Sequence, residues 1–218
     1  MITTDMKQTF ENYYHNGRIE IETLESFTLK DFQTYSPILL KGKGCVGKTH
    51  LLHAIENKLL ENNPSFKICF ITAEEFTNEY ITSIKEKRLS DFNSKYRNLD
   101  ALFIDDFNYF IGKKGTQEIL FFTLNALIER KAIIVVACEK NIKSKHYNKR
   151  LASIFSYGLK IDLLVPSEEA KLEKIQEIIK SEDIILKGSE LDAIRLKTRD
   201  MRELEGMVKQ IIFEKKHK

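Results

Sequence analysis

The sequence predicts an α/β fold: a parallel, five-stranded sheet flanked by helices, followed by a small all-α unit. Three observations carry that expectation. Short apolar runs without polar alternation recur between helical patterns, as strands covered on both faces require. A glycine-crowded loop, GKGCVGKT (Gly42–Thr49), joins one such run to an amphipathic helix. After Pro166 no strand-like run remains.

Each element follows from a local pattern. The strands read as ILL (Ile38–Leu40), ICFIT (Ile68–Thr72), ALFID (Ala101–Asp105), AIIVVAC (Ala132–Cys138) and LKIDLLV (Leu159–Val165). Behind the glycine loop, Leu52, Ile55 and Leu59 share one helical face. Phe76, Tyr80 and Ile84 recur every four residues, and Thr72 and Glu75 are spaced as a capping box before them. Ile119, Phe122 and Ala126 mark a further helix. Strands alternating with helices imply right-handed crossovers. Beyond Pro166 come three amphipathic patterns. They are Ile175 with Ile178 and Ile179, Leu191 with Ile194, and Met201 with Leu204, Val208 and Ile211. The expected division is 1–165 for the α/β part and 166–218 for the helical part.

Composition narrows the function classes. The chain has 218 residues with 42% hydrophobic and 31% charged content, ordinary for a globular protein. A formal net charge of +3 is too small to argue nucleic-acid binding, so such binding must come from local patches. Cys45, Cys69 and Cys138 stand far apart with no C-x-x-C pair, which excludes zinc and dithiol readings and fits a reducing cytoplasm. The run Ala132–Cys138 is far short of the roughly 20 residues a membrane helix needs. The start, MITTDMKQTFENYY, has no apolar signal region.

The glycine loop fits G-x-x-x-x-G-K-[ST] in its required place, between a strand and a helix. Glycines let backbone N–H groups converge on an anion, and the helix start adds its positive dipole end. Lys48 is expected to reach the β- and γ-phosphates, and Thr49 to give its hydroxyl to Mg²⁺. Gly42, Gly44, Cys45, Val46, Gly47, Lys48, Thr49 and the next residue, His50, are the candidate nucleotide contacts. Such a site needs a second acid at a neighbouring strand end. ALFIDDF supplies Asp105 for the metal side and Asp106 to orient or activate the attacking water. No N-K-x-D guanine reader is present, which favours ATP and ADP.

The longer runs resemble the AAA+ ATPase domain of the bacterial chromosomal replication initiator family, DnaA. They are GKTHLLHAI (Gly47–Ile55), EEFTNEYI (Glu74–Ile81), KYRNLDALFIDDF (Lys95–Phe107), GKKGTQEILFFTLNAL (Gly112–Leu127) and RELEG (Arg202–Gly206). TFENY (Thr9–Tyr13) is similar to the family's segment entering the adenine site. The resemblance implies a helical lid over ATP and makes Arg202 the lid arginine on the γ-phosphate. Asp200 suits the N-cap of that lid helix, which puts Arg202 in the first turn, where a cation makes sense as a phosphate ligand. The resemblance also implies that Lys113 contacts single-stranded DNA, and that Glu74–Arg97 is a helical insertion made basic by Lys85, Lys87 and Arg88.

Departures from the family pattern sharpen the expectation. The family's C-terminal duplex-reading domain and N-terminal interaction domain have no counterpart in these residues. Met1 and the unmatched first residues favour a natural start. In RLASIFSYGL (Arg150–Leu159) the family's arginine finger falls at Ile154, with Arg150 one turn earlier. Glu139 and Lys140 stand where the family usually has aspartate and arginine. The expected function is an ATP-binding module of replication initiation or its control, with slow hydrolysis. Self-association, a full-length initiator and single-stranded DNA are its candidate partners, and a membrane is not. The alternatives are a regulatory paralogue similar to Hda, a filament cap, a helicase loader and a P-loop kinase.

Overall fold

The computed structural model describes residues 8–13, 19–143, 145–182, 184–198 and 200–217. Part of the N-terminal stretch read for a secretion signal, residues 1–7 and 14, lies outside them. The order is α1 (Ile19–Ser26), α2 (Leu29–Tyr35), β1 (Ile38–Lys41), α3 (Lys48–Asn62), β2 (Ile68–Thr72), α4 (Ala73–Lys85), α5 (Leu89–Arg97) and β3 (Ala101–Asp105). A short 3₁₀ turn (Phe107–Phe110) leads to α6 (Lys114–Glu129), β4 (Ile133–Cys138), α7 (Lys149–Ile154) and β5 (Leu159–Asp162). Three helices end the chain: α8 (Glu168–Glu182), α9 (Gly188–Lys197) and α10 (Met201–Lys216).

The five strands pair in parallel in the order β2-β3-β4-β1-β5. Successive side chains leave opposite faces of a strand, so each central strand feeds two cores. Leu39, Leu102, Ile104, Ile134 and Val136 join the helices α4 to α7 on one face. Ile38, Leu40, Phe103, Ile133 and Val135 join α1, α2 and α3 on the other. β3 and β4 are buried along their whole length, whereas the edge strand β2 alternates between buried and half-buried residues. The unbroken apolar runs therefore describe the sheet's centre, not its edges.

Local chemistry starts the helices. Thr72 and Glu75 form the expected capping box: the Thr72 N–H donates to Glu75 Oε2 at 2.9 Å and the Glu75 N–H to Thr72 Oγ1 at 3.1 Å. Thr28 and Asp31 do the same for α2. Under α4, Phe76 meets Phe92, Tyr96 and Phe110 with ring centroids 5.2, 4.9 and 5.8 Å apart. That cluster fixes α4 and α5 to the sheet.

Three expectations need correction. β5 ends at Asp162, because its pairing partner β1 ends at Lys41; Leu164 and Val165 are exposed beyond it. Ile84 is exposed, so the inner face of α4 is Ala73, Phe76, Thr77 and Ser83. Phe122 is also exposed, and α6 instead buries Thr116, Gln117, Leu120, Thr123, Leu124 and Leu127. Gln117 tolerates burial because its amide donates to Phe110 O at 2.7 Å and accepts from the Asn148 N–H at 2.6 Å.

The final helices enclose a cluster of their own, with Ile175, Ile194, Leu204 and Val208 fully buried. Among the described residues no helix is long and apolar enough to cross a membrane.

Phe76→Ala should lower stability by about 3–5 kcal/mol, whereas Ile84→Ala should change it by no more than about 0.5 kcal/mol. Urea unfolding of the two variants checks the assignment of the inner face.

Candidate nucleotide-binding site

β1 delivers the chain into the loop Gly42–Gly47 at the carboxyl edge of the sheet. The Gly42 N–H donates to Cys138 O at 3.1 Å, which continues the ladder with β4 by one bond. A Cβ on Gly42 would lie 2.5 Å from Val46 Cγ2 and 2.8 Å from Leu163 O, so the close turn requires glycine. Gly47 has φ +87°, the left-handed region glycine adopts freely, and a Cβ there would strike the Tyr13 ring at 2.6 Å. Cys45 holds φ +59° without that freedom, a strained backbone of the kind found where a loop is shaped for a ligand.

Lys48 opens α3 and is 8% exposed. Its ammonium donates to Gly42 O at 2.9 Å and Lys43 O at 2.7 Å. The charge is thus held inside the loop by the loop's own carbonyls. The Thr49 hydroxyl donates to Asp105 Oδ2 at 2.5 Å, and the Asp106 N–H donates to Asp105 Oδ1 at 2.7 Å. Asp105 is 5% exposed, and both its oxygens are satisfied. Hard oxygen donors of this kind fit Mg²⁺, which takes one or two protein ligands and completes its shell with phosphate and water. Among the described residues no three His, Cys, Asp or Glu side chains are grouped to hold an ion by themselves.

Asp106 has φ +51° and lines the cleft. The cleft walls strip water from its carboxyl and raise its pKa; Asp105 adds to the rise, Lys48 opposes it, Glu139 adds to it and Arg202 opposes it. Glu139 follows β4, its N–H held by Asn108 Oδ1 at 2.9 Å. Gly44 and His50 also line the cleft.

The N-terminal segment forms the side wall. Tyr13 donates its hydroxyl to Val46 O at 3.1 Å and meets His50 edge-on at 5.3 Å. His50 Nε2 lies 2.8 Å from Thr9 O, and the Asn57 amide donates to Gln8 O at 2.8 Å. Gln8 Oε1 is buried without a hydrogen-bond partner at this wall. The opposite wall comes from α8 and α10. The Asp200 carboxylate caps α10, accepting from the Arg202 N–H at 2.9 Å and the Glu203 N–H at 3.0 Å. Arg202 therefore sits in the first turn and faces the cleft, whose volume is about 830 Å³. That is ample for a nucleotide.

The Bacterial DnaA ATPase domain family matches residues 5–162. The chain belongs to the DnaA family. It is also similar to the structure of the replication initiator DnaA bound to AMPPCP and single-stranded DNA, at 26% identity and TM-score 0.84. That match covers 96% of this chain and 66% of the other. AMPPCP-bound DnaA from Aquifex aeolicus matches at 26% identity and TM-score 0.83, covering 94% and 65%. Domain III of DnaA from Thermotoga maritima matches at 29% identity and TM-score 0.82, covering 98% and 91%. The chain thus spans just under two thirds of the first two structures and most of the third. The sheet, its flanking helices and the helical C-terminal part have the AAA+ architecture.

The fold brings every candidate nucleotide residue, including distant Arg202, to this one region. It does not bring Lys113 there. The Lys113 ammonium donates to Tyr109 O at 2.9 Å and lies 3.5 Å from the Tyr109 ring centre, at the start of α6. Ile154, where the DnaA resemblance puts the arginine finger, is 3% exposed inside the α4–α7 core, so an arginine introduced there would enter apolar packing. Arg150 is exposed, lying 3.8 Å from a Glu118 oxygen and over the rings of Phe121 and Phe122. Sequence reasoning missed Gln8 and Lys174 in the cleft wall; neither carries a motif, and only tertiary contact reveals them.

The raised Asp106 carboxyl fixes a pH dependence. The folded chain holds that proton to higher pH than the unfolded chain, so the nucleotide-free fold loses stability as pH rises through the window between the two pKa values. Asp106→Asn removes the loss and keeps a side chain that tolerates positive φ. Thermal unfolding without nucleotide should give a higher Tm than the parent at pH 7, with the gap closing below the ordinary carboxylate range.

Proposed function

We propose that the chain is an ATP-binding module of replication initiation or its control, hydrolysing ATP slowly and reporting which nucleotide it holds. One observation carries the reading: Lys48, the Thr49–Asp105 pair and Arg202 converge on a single cleft from three separate parts of the chain. In this reading 1–165 is the nucleotide-binding core and 166–218 the lid. Loop amides from Gly44 to Thr49 cradle the phosphates. The Lys48 ammonium exchanges its two carbonyl partners for phosphate oxygens. Thr49 and Asp105 would hold Mg²⁺, which when bound neutralises phosphate charge. Asp106 orients the attacking water from its open position, and Arg202 meets the terminal phosphate. Gln8 Oε1, buried and without a partner, offers an acceptor to the amino group of adenine.

Slow turnover follows from what surrounds the site. Turnover in such a site needs an arginine offered by a neighbour, worth ~10³ or more in rate, which the chain alone lacks; in the other direction, Ile154 offers a neighbour neither charge nor donor. The subunit then accepts such an arginine from a neighbour without returning one, which suits a cap on an initiator filament. Single-stranded DNA contact is supported by the DNA-bound DnaA structure, and the resemblance puts it at Lys113. Such contact would be salt-sensitive and sequence-blind.

Two measurements test this. Lys48→Met should weaken Mg-ATP binding at least about tenfold by calorimetry, because a charge-assisted phosphate contact is lost. Sizing the purified chain with ATP, ADP and single-stranded DNA should show nucleotide-independent size alone and ATP-dependent addition to a full-length initiator. Homofilaments of this chain in ATP would refute the cap.

The cysteines supply an independent check. Burial pushes the Cys69 and Cys138 thiols up to about 11 and about 12, while Cys45 stands in the cleft wall. A thiol-specific disulfide reagent should therefore modify Cys45 first, and Mg-ATP should slow that modification several-fold.

A further inference from the structure

Arg202 works only if α10 starts in the right place. That start is fixed from behind the cleft. α9 ends at Lys197, and the next residue, Thr198, donates both its N–H and its hydroxyl to Ile194 O, at 3.1 and 2.7 Å. Asp200, two residues on, caps α10. Lys171, on the second turn of α8, reaches this junction with an 8% exposed side chain. Its ammonium donates to Thr198 O at 2.8 Å and to Glu168 Oε1 at 3.0 Å. Glu168 is gripped a second time by Arg195 Nε at 3.3 Å, from the last turn of α9. Its carboxyl is held below the ordinary range, first by the hydrogen bond from Lys171.

A cation at a helix C-terminus suits the dipole, and a buried ammonium must keep its partners. The junction therefore cannot drift without stranding Lys171. One turn further along α8, Lys174 lies 3.6 Å from Glu205 Oε1, on the far side of Arg202 along α10. Lys174 lines the cleft; Lys171 stands behind it and can act only through the junction.

We propose that Lys171 is a positioning residue for Arg202, pinning the Thr198 carbonyl and so setting the reach of the guanidinium toward the terminal phosphate of a nucleoside triphosphate. The inference rests on the reading that Arg202 meets that phosphate. Its consequence is that preference for ATP over ADP depends on a lysine that touches neither.

The test is the ratio of ATP to ADP affinity, measured with Mg²⁺ for the parent, Arg202→Gln, Lys171→Met, Lys171→Arg, Glu168→Gln and the Arg202→Gln/Lys171→Met double variant. Tm is recorded for each. Arg202→Gln should cut the ratio about tenfold. Lys171→Met should cut it about three- to tenfold with ADP affinity nearly unchanged, and Lys171→Arg should recover most of the loss. Glu168→Gln, the milder change, should shift the ratio in the same direction if Lys171→Met fails to fold. The double variant should match Arg202→Gln alone, because one residue acts through the other. A ratio unmoved by Lys171→Met while Arg202→Gln lowers it overturns the positioning role alone. Additive losses in the double variant overturn it too. A ratio unmoved by Arg202→Gln overturns the reading of Arg202 on which it rests.

Discussion

The contact between Thr49 and Asp105 is the constraint on which the rest of the site depends. It spans three strands: the loop after β1 is tied to the end of β3 across the end of β4. A carboxylate only 5% exposed is tolerated because each oxygen has a donor, the Thr49 hydroxyl and the Asp106 N–H. Those two bonds have opposite consequences. One fixes the first turn of α3, and with it the loop whose amides face the cleft. The other turns the chain sharply at Asp106, leaving it in the left-handed region with its carboxylate toward the cleft. Two adjacent acids thus acquire different environments from one local geometry, which in the proposed reading separates the metal-side carboxylate from the one that handles water.

The loop itself is closed on its own charge. Lys48 is bound by Gly42 O and Lys43 O, so the loop holds its shape with its own atoms. The helical C-terminal part is built differently. It has a separate apolar cluster, and the start of α10 depends on local bonds: the Asp200 cap, and Lys171 at the junction before it. Nucleotide sensing in the proposed reading is then a contest between phosphate and the lid's ion pairs, such as Lys174 with Glu177 and Glu205.

Much of this was legible in the sequence, and the reasons are physical. The loop could be read because its close turns demand glycine at positions such as Gly42 and Gly47. Asp105 was legible because an acid after four apolar residues marks a buried strand reaching a polar edge. Asp200 and Thr72 were legible because helix starts need capping oxygens. The faces of α4 and α6 were misread at Ile84 and Phe122, since apolar residues also occupy partly exposed flanks, and buried Gln117 and Thr123 break the stripe. The end of β5 was misread because only pairing with β1, not composition, decides where a strand stops. α1, α2 and α5 are too short for periodicity to announce them. Gln8, Lys171 and Lys174 could not be found at all, because their roles arise from contacts between elements distant in the chain.

The central claim is that one cleft clasps nucleotide phosphates between the glycine loop and the start of α10. Amide hydrogen exchange with Mg-ATP and Mg-ADP tests it most directly. With ATP, exchange should slow in both 42–49 and 200–206; with ADP it should slow in 42–49 while 200–206 stays close to the free protein. Unchanged exchange across 42–49 at saturating ATP would contradict the account.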